Sequence, residues 1–136
     1  MAITTETQVI DEKTTPVYSF NLTEKSATGT VTAITLAQTA TLTLTLYADA
    51  SSDSAESIIN SRSAQDVKNT NNVTLSSSGA VAWVLQPSDT AIQDTTKTKE
   101  KRVALFQWSY DKSDGAGTRY GKHEYLFTVR NLKKVT

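Results

Sequence analysis

One stretch of this sequence decides its fold class: Ala40-Thr41-Leu42-Thr43-Leu44-Thr45-Leu46-Tyr47. Leucine and threonine alternate strictly, so an extended chain places every leucine on one face and every threonine on the other. Threonine, like other β-branched residues, favours strands. The stretch also falls far short of the roughly 18 apolar residues that a membrane-spanning helix needs. It therefore predicts a β-strand with one apolar and one polar face.

Similar strands are predicted on both sides of this stretch. They lie at residues 17–22, 30–37, 73–76, 80–86, 101–111 and 122–131. Asp114-Gly115-Ala116-Gly117 has the composition of a hairpin tip between the last two. Seven or so strands joined mostly by turns predict an all-β fold, an antiparallel β-sandwich of the immunoglobulin-like or jelly-roll-like kind.

Two segments depart from the strand pattern. Residues 55–68 place Ile58, Ile59 and Val67 at roughly helical spacing, which predicts a short helix; an irregular crossover between two sheets is the alternative. Residues 1–16 are polar, lack periodicity, and end at Pro16, which has no backbone N–H. We therefore expect an extended N-terminal arm over residues 1–16 and a single β-sandwich domain over residues 17–136.

The composition excludes several classes of site. The chain has 136 residues, with 14 Lys+Arg against 14 Asp+Glu, one His and no Cys. Without cysteine there is no disulfide framework and no thiolate metal site. A balanced charge gives no overall attraction to nucleic acid or to anionic membranes. The first residues lack a basic region followed by an apolar one, so we expect no secretory signal.

Few residues are candidates for chemistry, and each has a structural explanation. His123 is the single histidine, and it lies in phase with Tyr125 and Phe127 on a predicted strand, which favours a structural role. Asp49, Asp53 and Glu56 cluster in a Ser-rich segment, where solvated side chains and helix capping account for them. We therefore predict no catalytic residue, no cofactor-binding residue, no metal ligand and no cofactor.

The basic cluster Lys97, Lys99, Lys101 and Arg102 is interrupted by Glu100. A solvated loop is the simplest interpretation, and an acidic protein partner is the alternative. Binding of nucleic acid would need exposed aromatic residues beside the charges, yet Trp108 and Tyr110 lie in an apolar strand.

The predicted core and turns follow from aromatic and turn-forming residues. Trp83, Phe106, Trp108 and Phe127 are expected to form the aromatic core, because each can bury about 150–250 Å². Gly79 suits a turn that a residue with a Cβ would resist. Asp89 follows Pro87 and is expected to accept backbone N–H groups in its loop.

The Leu/Thr ladder of residues 41–46 would be prone to aggregation at an exposed sheet edge, because it has no charge and no proline. It can be protected as a central strand, or by pairing with a neighbouring subunit through strand addition. The second alternative, together with a polar N-terminal arm, indicates an assembly component.

Residues 40–136 also carry a resemblance to a known family. The matching stretches are Ile59-Asn60-Ser61-Arg62-Ser63-Ala64-Gln65-Asp66-Val67, Gly79-Ala80-Val81-Ala82-Trp83-Val84-Leu85-Gln86-Pro87-Ser88-Asp89-Thr90, Ala104-Leu105-Phe106-Gln107-Trp108, and Gly121-Lys122-His123-Glu124 leading to Phe127-Thr128-Val129 and Val135. This combination resembles small structural proteins of tailed bacteriophages, in which a G-x-x-x-x-x-L-x-P-x-D-T strand and loop precedes a closing hairpin. The motifs consist of core and turn residues, so the resemblance implies a non-enzymatic virion component.

The resemblance implies that the chain binds copies of itself and neighbouring virion proteins, such as capsid, portal, neck or tail subunits. The head–tail connection (neck, collar or tail-completion ring) is the first location to test, and the protein would be assembled into the virion in the host cytoplasm. A capsid decoration or cement protein is the alternative within this class. A carbohydrate- or receptor-binding module is the alternative outside it, and it predicts that Trp108 or Tyr120 faces solvent. No specific nucleic-acid partner and no membrane association are expected.

Overall fold

The computed structural model describes residues 8–49 and 57–132, and its regular structure is β. The strands are β1 (Gln8–Asp11), β2 (Val17–Asn21), β3 (Thr23–Lys25), β4 (Val31–Ala33), β5 (Thr39–Ala48), β6 (Gln65–Asp66), β7 (Val73–Leu75), β8 (Ala80–Val84), β9 (Lys99–Tyr110) and β10 (Arg119–Arg130). One 3₁₀ turn, Leu36–Gln38, precedes β5. The described residues contain no helix long and apolar enough to cross a membrane.

The strands form two main sheets. One has the order β1-β10-β9-β5-β6, the other the order β2-β8-β7, and β3 pairs with β4 in a small hairpin. All pairs are antiparallel except β1 with β10, which is parallel. The predicted all-β antiparallel sandwich is confirmed. Its strand order corresponds to the C-F-G and B-E-D sheets of immunoglobulin-type sandwiches, which selects the immunoglobulin-like alternative over the jelly roll.

The core lies between the inner faces of the two sheets. Trp83 from β8 packs edge-on against Phe106 and Phe127, with ring centroids 5.8 and 6.4 Å apart. Trp108 is 5% exposed, and the other three are fully buried, so the predicted aromatic core is confirmed. Gly79 adopts a φ of +89°, and a Cβ there would lie 1.9 Å from the Ile34 carbonyl oxygen, which explains the glycine at this turn.

The Leu/Thr ladder forms β5 as predicted. Leu42, Leu44 and Leu46 are completely buried, while the threonines between them lie on the partly exposed face. Strand β9 pairs with one edge of β5, and the segment 57–68 covers the other edge through backbone hydrogen bonds. The central-strand alternative is therefore correct, and strand addition from another subunit at β5 is wrong.

The predicted helix near residues 55–68 is wrong over residues 57–68, and residues 55 and 56 lie outside the described residues. Asn60, Ser61 and Ala64 have φ values of 54°, 55° and 45°, a left-handed backbone that cannot continue an α-helix. The Ile59 and Val67 N–H groups instead donate to carbonyl oxygens of β5, both at 2.9 Å. The backbone hydrogen bonds to β5 therefore determine the conformation of this segment, and its weak helical spacing does not. The irregular crossover is the correct alternative.

The arm predicted over residues 1–16 needs a correction from residue 8 onward; residues 1–7 lie outside the described part. Gln8–Asp11 is extended, as expected, but it is strand β1 of the larger sheet. Ile10 is 6% exposed and belongs to the core. The Asp11 carboxylate pairs with Arg130 at 2.7 Å. The sandwich therefore begins before Pro16, because backbone pairing with β10 and one buried isoleucine attach this segment to the sheet.

Candidate functional site

The aromatic cluster around His123 lies at one end of the space between the two sheets. Strand β2 contributes Tyr18 and Phe20, and β10 contributes His123 and Tyr125 from the facing sheet. The Phe20 and His123 rings stack with centroids 4.1 Å apart, and Tyr18 stacks on Tyr125 at 3.7 Å. The Tyr18 hydroxyl and His123 Nε2 share a hydrogen bond of 2.5 Å. His123 therefore connects the two sheets through a tyrosine, which is the structural role expected from the sequence.

Burial keeps the titratable members of this cluster neutral near pH 7. It lowers the pKa of His123 below its ordinary 6.5, because the imidazolium form loses solvation. Burial raises the pKa of Tyr18, because the charged tyrosinate form loses solvation. Burial, with the neighbouring Tyr18 as a smaller contribution, raises the pKa of Tyr125 to about 12. The cluster acts as packed neutral rings joined by one hydrogen bond.

A buried ion pair joins the crossover segment to the loop after β8. Arg62, 2% exposed, donates from Nε to Asp89 Oδ1 at 2.6 Å and from Nη2 to Asp89 Oδ2 at 3.0 Å. Asp89 also accepts the Gln86 backbone N–H at 2.8 Å, which confirms its predicted role in the loop. The Arg62 guanidinium lies 5.7 Å from the Trp83 ring centroid. This arrangement fixes the crossover over the edge of β5.

The basic cluster is only in part the solvated loop that the sequence suggested, because Lys97 alone precedes the strand. Strand β9 begins at Lys99, so Lys101 and Arg102 lie within a strand. The lysines are exposed, but the Arg102 side chain is completely buried. Its Nη2 donates to the Ala91 carbonyl oxygen at 2.7 Å and to Glu100 Oε1 at 3.0 Å. Its Nε and Nη1 atoms are buried without a hydrogen-bond partner.

The carboxylates singled out in the sequence do not assemble into a described site. Asp49 follows β5, while Asp53 and Glu56 lie outside the described residues. Within residues 8–49 and 57–132, no group of three His, Cys, Asp or Glu side chains is placed to hold a metal ion.

The outer edge of β10 is paired only in part among the described residues. The Glu12 N–H donates to the Arg130 carbonyl on this edge at 3.1 Å, while the Asn131 N–H donates across to Thr98 at 2.8 Å. The β9–β10 register is uninterrupted, and backbone groups alternate between the two sides of a strand. The N–H and C=O groups of Tyr120, Lys122 and Glu124 therefore point away from β9. Among the described residues, β1 is the strand that pairs on this side, and it does so at Phe127–Arg130.

A polar network fixes the beginning of this edge. The Glu24 carboxylate accepts hydrogen bonds from the Tyr110 hydroxyl at 2.9 Å and from Arg119 Nη1 at 2.6 Å, and Lys112 lies 3.3 Å away. The pKa of Glu24 is lowered from its ordinary value, mainly by the hydrogen bond from Tyr110. Arg119 also pairs with Asp114 at the hairpin tip. The network holds the hairpin against β3, so β10 begins at a defined position.

A shallow groove of about 310 Å³ runs beside this edge on the outer face of the sheet. Its lining includes Thr41, Thr43, Gln107, Tyr120 and Lys122. Tyr120 is 78% exposed, whereas Trp108 is buried. A ligand-binding module was expected to expose either Trp108 or Tyr120, and Tyr120 is the residue that is exposed.

Two buried arginines, Arg62 and Arg102, were not predicted from the sequence. Arg102 carries a signal in the sequence, because it lies in phase with Ala104, Phe106 and Trp108 on the inward face of β9. Arg62 carries none, because the segment around it has no strand period and its partner lies 27 residues away.

The fold and these contacts define an immunoglobulin-type β-sandwich held together by aromatic packing and a buried ion pair. A scan against models of protein families matches none, and a search of curated proteins finds no relative.

Proposed function

We propose that this protein is a non-enzymatic structural protein of a tailed-phage virion that binds copies of itself and neighbouring virion proteins. The head–tail connection is its proposed location, and a capsid decoration protein is the alternative within the class. The resemblance of residues 40–136 to small phage structural proteins supports the virion role. The stretch of the β10 edge that no described strand covers supports binding between copies, and it is the observation that carries the proposal.

The geometry of this edge favours strand addition. Tyr120, Lys122 and Glu124 present three N–H and three C=O groups in an extended strand, which is the template that another strand pairs with. Lys122 and Glu124 have opposite charges on neighbouring positions of one face. An antiparallel copy of the same edge, in the register centred on His123, places Lys122 opposite Glu124, which favours a symmetric contact.

The test compares oligomeric state in a pair of edge variants. Lys122→Pro removes the outward N–H and inserts a ring into the edge, while the bonds to β9 remain, because this N–H does not face β9. Lys122→Gln removes the charge and keeps the N–H. In light scattering, we expect oligomers from the unmodified chain and from Lys122→Gln, and monomers from Lys122→Pro. A strictly monomeric unmodified chain, or an unchanged mass for Lys122→Pro, would contradict the proposed contact.

One observation favours a second candidate function, a carbohydrate- or receptor-binding module. Tyr120 is exposed beside the groove on the outer face, and sugars stack on exposed aromatic rings flanked by polar groups. Trp108 contributes to the groove lining, so its fluorescence would report a bound glycan. This candidate predicts saturable quenching by a glycan and its loss in Tyr120→Ala. An unquenched signal across a glycan panel argues against it.

A further inference from the structure

The chain has two buried arginines, and their surroundings differ. Arg62 uses all three of its nitrogens as donors, to Asp89, Gln65, Asn71 and Asn72. Arg102 uses only Nη2. A guanidinium has five N–H groups, so three of those on Arg102, one on Nε and two on Nη1, are buried without an acceptor. Such groups are costly to leave unpaired, most of all on a charged side chain.

Space for an acceptor adjoins Arg102. A cavity of about 250 Å³ is lined by Asp49, Lys97, Lys99, Glu100, Lys101, Arg102 and Ala48. A second cavity of about 180 Å³ shares Asp49, Lys101 and Arg102 with the first and adds Leu126 and Phe127. We call these two cavities the Arg102 notch. It lies where β5 has ended, and the Asp49 N–H donates to the Lys101 carbonyl oxygen there at 3.0 Å.

The charges of the notch favour an anion. The lining of the first cavity includes four cationic residues and two acidic ones. Glu100 is already engaged, because its oxygens accept the Gln93 and Asp94 backbone N–H groups at 2.6 and 2.9 Å and one hydrogen bond from Arg102. The remaining excess of positive charge suits a singly charged carboxylate better than a phosphate dianion, since Asp49 lies in both cavity walls.

We propose that the Arg102 notch binds a carboxylate side chain from an acidic segment of a neighbouring protein. The carboxylate oxygens would accept hydrogen bonds from the unpartnered Arg102 N–H groups, and Lys99 and Lys101 would attract the flanking acidic residues. This site goes beyond the proposed function. It would remain if the chain proved to have no place in a virion.

The test observes the two buried arginines in one sample. The ¹⁵N-labelled chain is titrated with a hexaglutamate peptide, and the Nε–H resonances of Arg102 and Arg62 are followed by NMR. We expect the Arg102 resonance to shift saturably and the Arg62 resonance to stay in place, because Arg62 has its acceptors already. An equal concentration of inorganic phosphate should shift Arg102 much less.

Charge variants extend the test without altering the buried residue. Lys99→Gln with Lys101→Gln should weaken hexaglutamate binding by about fivefold, as expected for two exposed ion pairs. Lys25→Gln, an exposed lysine on β3, is the matched control and should leave the affinity unchanged. Arg102→Met should abolish saturable binding while the chain stays folded; if this variant unfolds, the NMR and lysine results decide.

Three results would overturn the proposal. The first is an unmoved Arg102 Nε–H resonance at saturating peptide, which would indicate that water alone satisfies the notch. The second is a stronger response to phosphate than to hexaglutamate, which would indicate a phosphate site. The third is a shift of that resonance in Asp53→Asn with Glu56→Gln before any peptide is added, which would place the acceptor within the chain itself.

Discussion

Replacing Asp89 with alanine should destabilise the sandwich more than any surface change, because it leaves Arg62 buried without its counter-ion. The variant removes the acceptor of two hydrogen bonds from the guanidinium, one from the Asn60 amide and one from the Gln86 backbone. Arg62 is 2% exposed in the folded chain, so water does not replace these bonds without local opening.

The magnitude follows from those contacts. Each hydrogen bond to a charged group contributes about 1.5–3 kcal/mol, and two of them end on the guanidinium. The total agrees with the loss of about 3–5 kcal/mol that follows removal of one partner of a buried pair. Domains of this size unfold with about 5–15 kcal/mol. Asp89→Ala should therefore remain folded at low temperature, with a Tm lowered by on the order of 10–20 °C.

Urea unfolding followed by tryptophan fluorescence measures this loss, because Trp83 lies against the Arg62 guanidinium. Arg62→Met and the double variant complete the cycle. The double variant should lose clearly less than the sum of the two single losses, because it leaves no buried charge unpaired. A loss below about 1 kcal/mol in Asp89→Ala, or strictly additive losses, would show that Arg62 does not depend on Asp89 as its buried counter-ion.

The remaining predictions concern β10. Gly121→Ala should cost about 1–3 kcal/mol in urea unfolding, because its Cβ would lie 2.4 Å from the Trp108 ring; an unchanged midpoint contradicts this packing. Since burial lowers the pKa of His123, the unfolded chain binds the proton first, so stability should fall as the pH drops below about 6.5, and His123→Gln should flatten that part of the profile. Since burial raises the pKa of Tyr125 to about 12, stability should fall as the pH rises above about 10, with a weaker fall in Tyr125→Phe. Identical pH profiles for a variant and the unmodified chain would contradict the corresponding assignment.

The regular strands could be predicted because their period is local. The alternation in β5 and β9 places residues such as Leu44 and Phe106 on the buried face regardless of what the rest of the chain does. The hairpin between β9 and β10 follows from its glycines. Local patterns therefore predicted the fold class and the aromatic core.

The irregular parts depend on partners far along the chain. Residues 57–68 have weak helical spacing, but the edge of β5 gives them backbone bonds that a helix would lose. The attachment of Ile10 depends on β10, more than 100 residues later. The Arg62–Asp89 pair and the unpartnered nitrogens of Arg102 likewise result from tertiary placement. No short window of sequence contains these relations, so the candidate site could not be predicted from it.

The copy number of this chain in intact particles tests the proposed virion role most directly. Quantitative mass spectrometry of purified tailed-phage particles, with the portal protein as internal standard, gives that number. The virion role predicts a fixed ratio that survives repeated purification: a low ratio for a ring at the head–tail connection, or a ratio matching the capsid subunits for a decoration protein. Absence of the chain from purified particles would contradict the virion role.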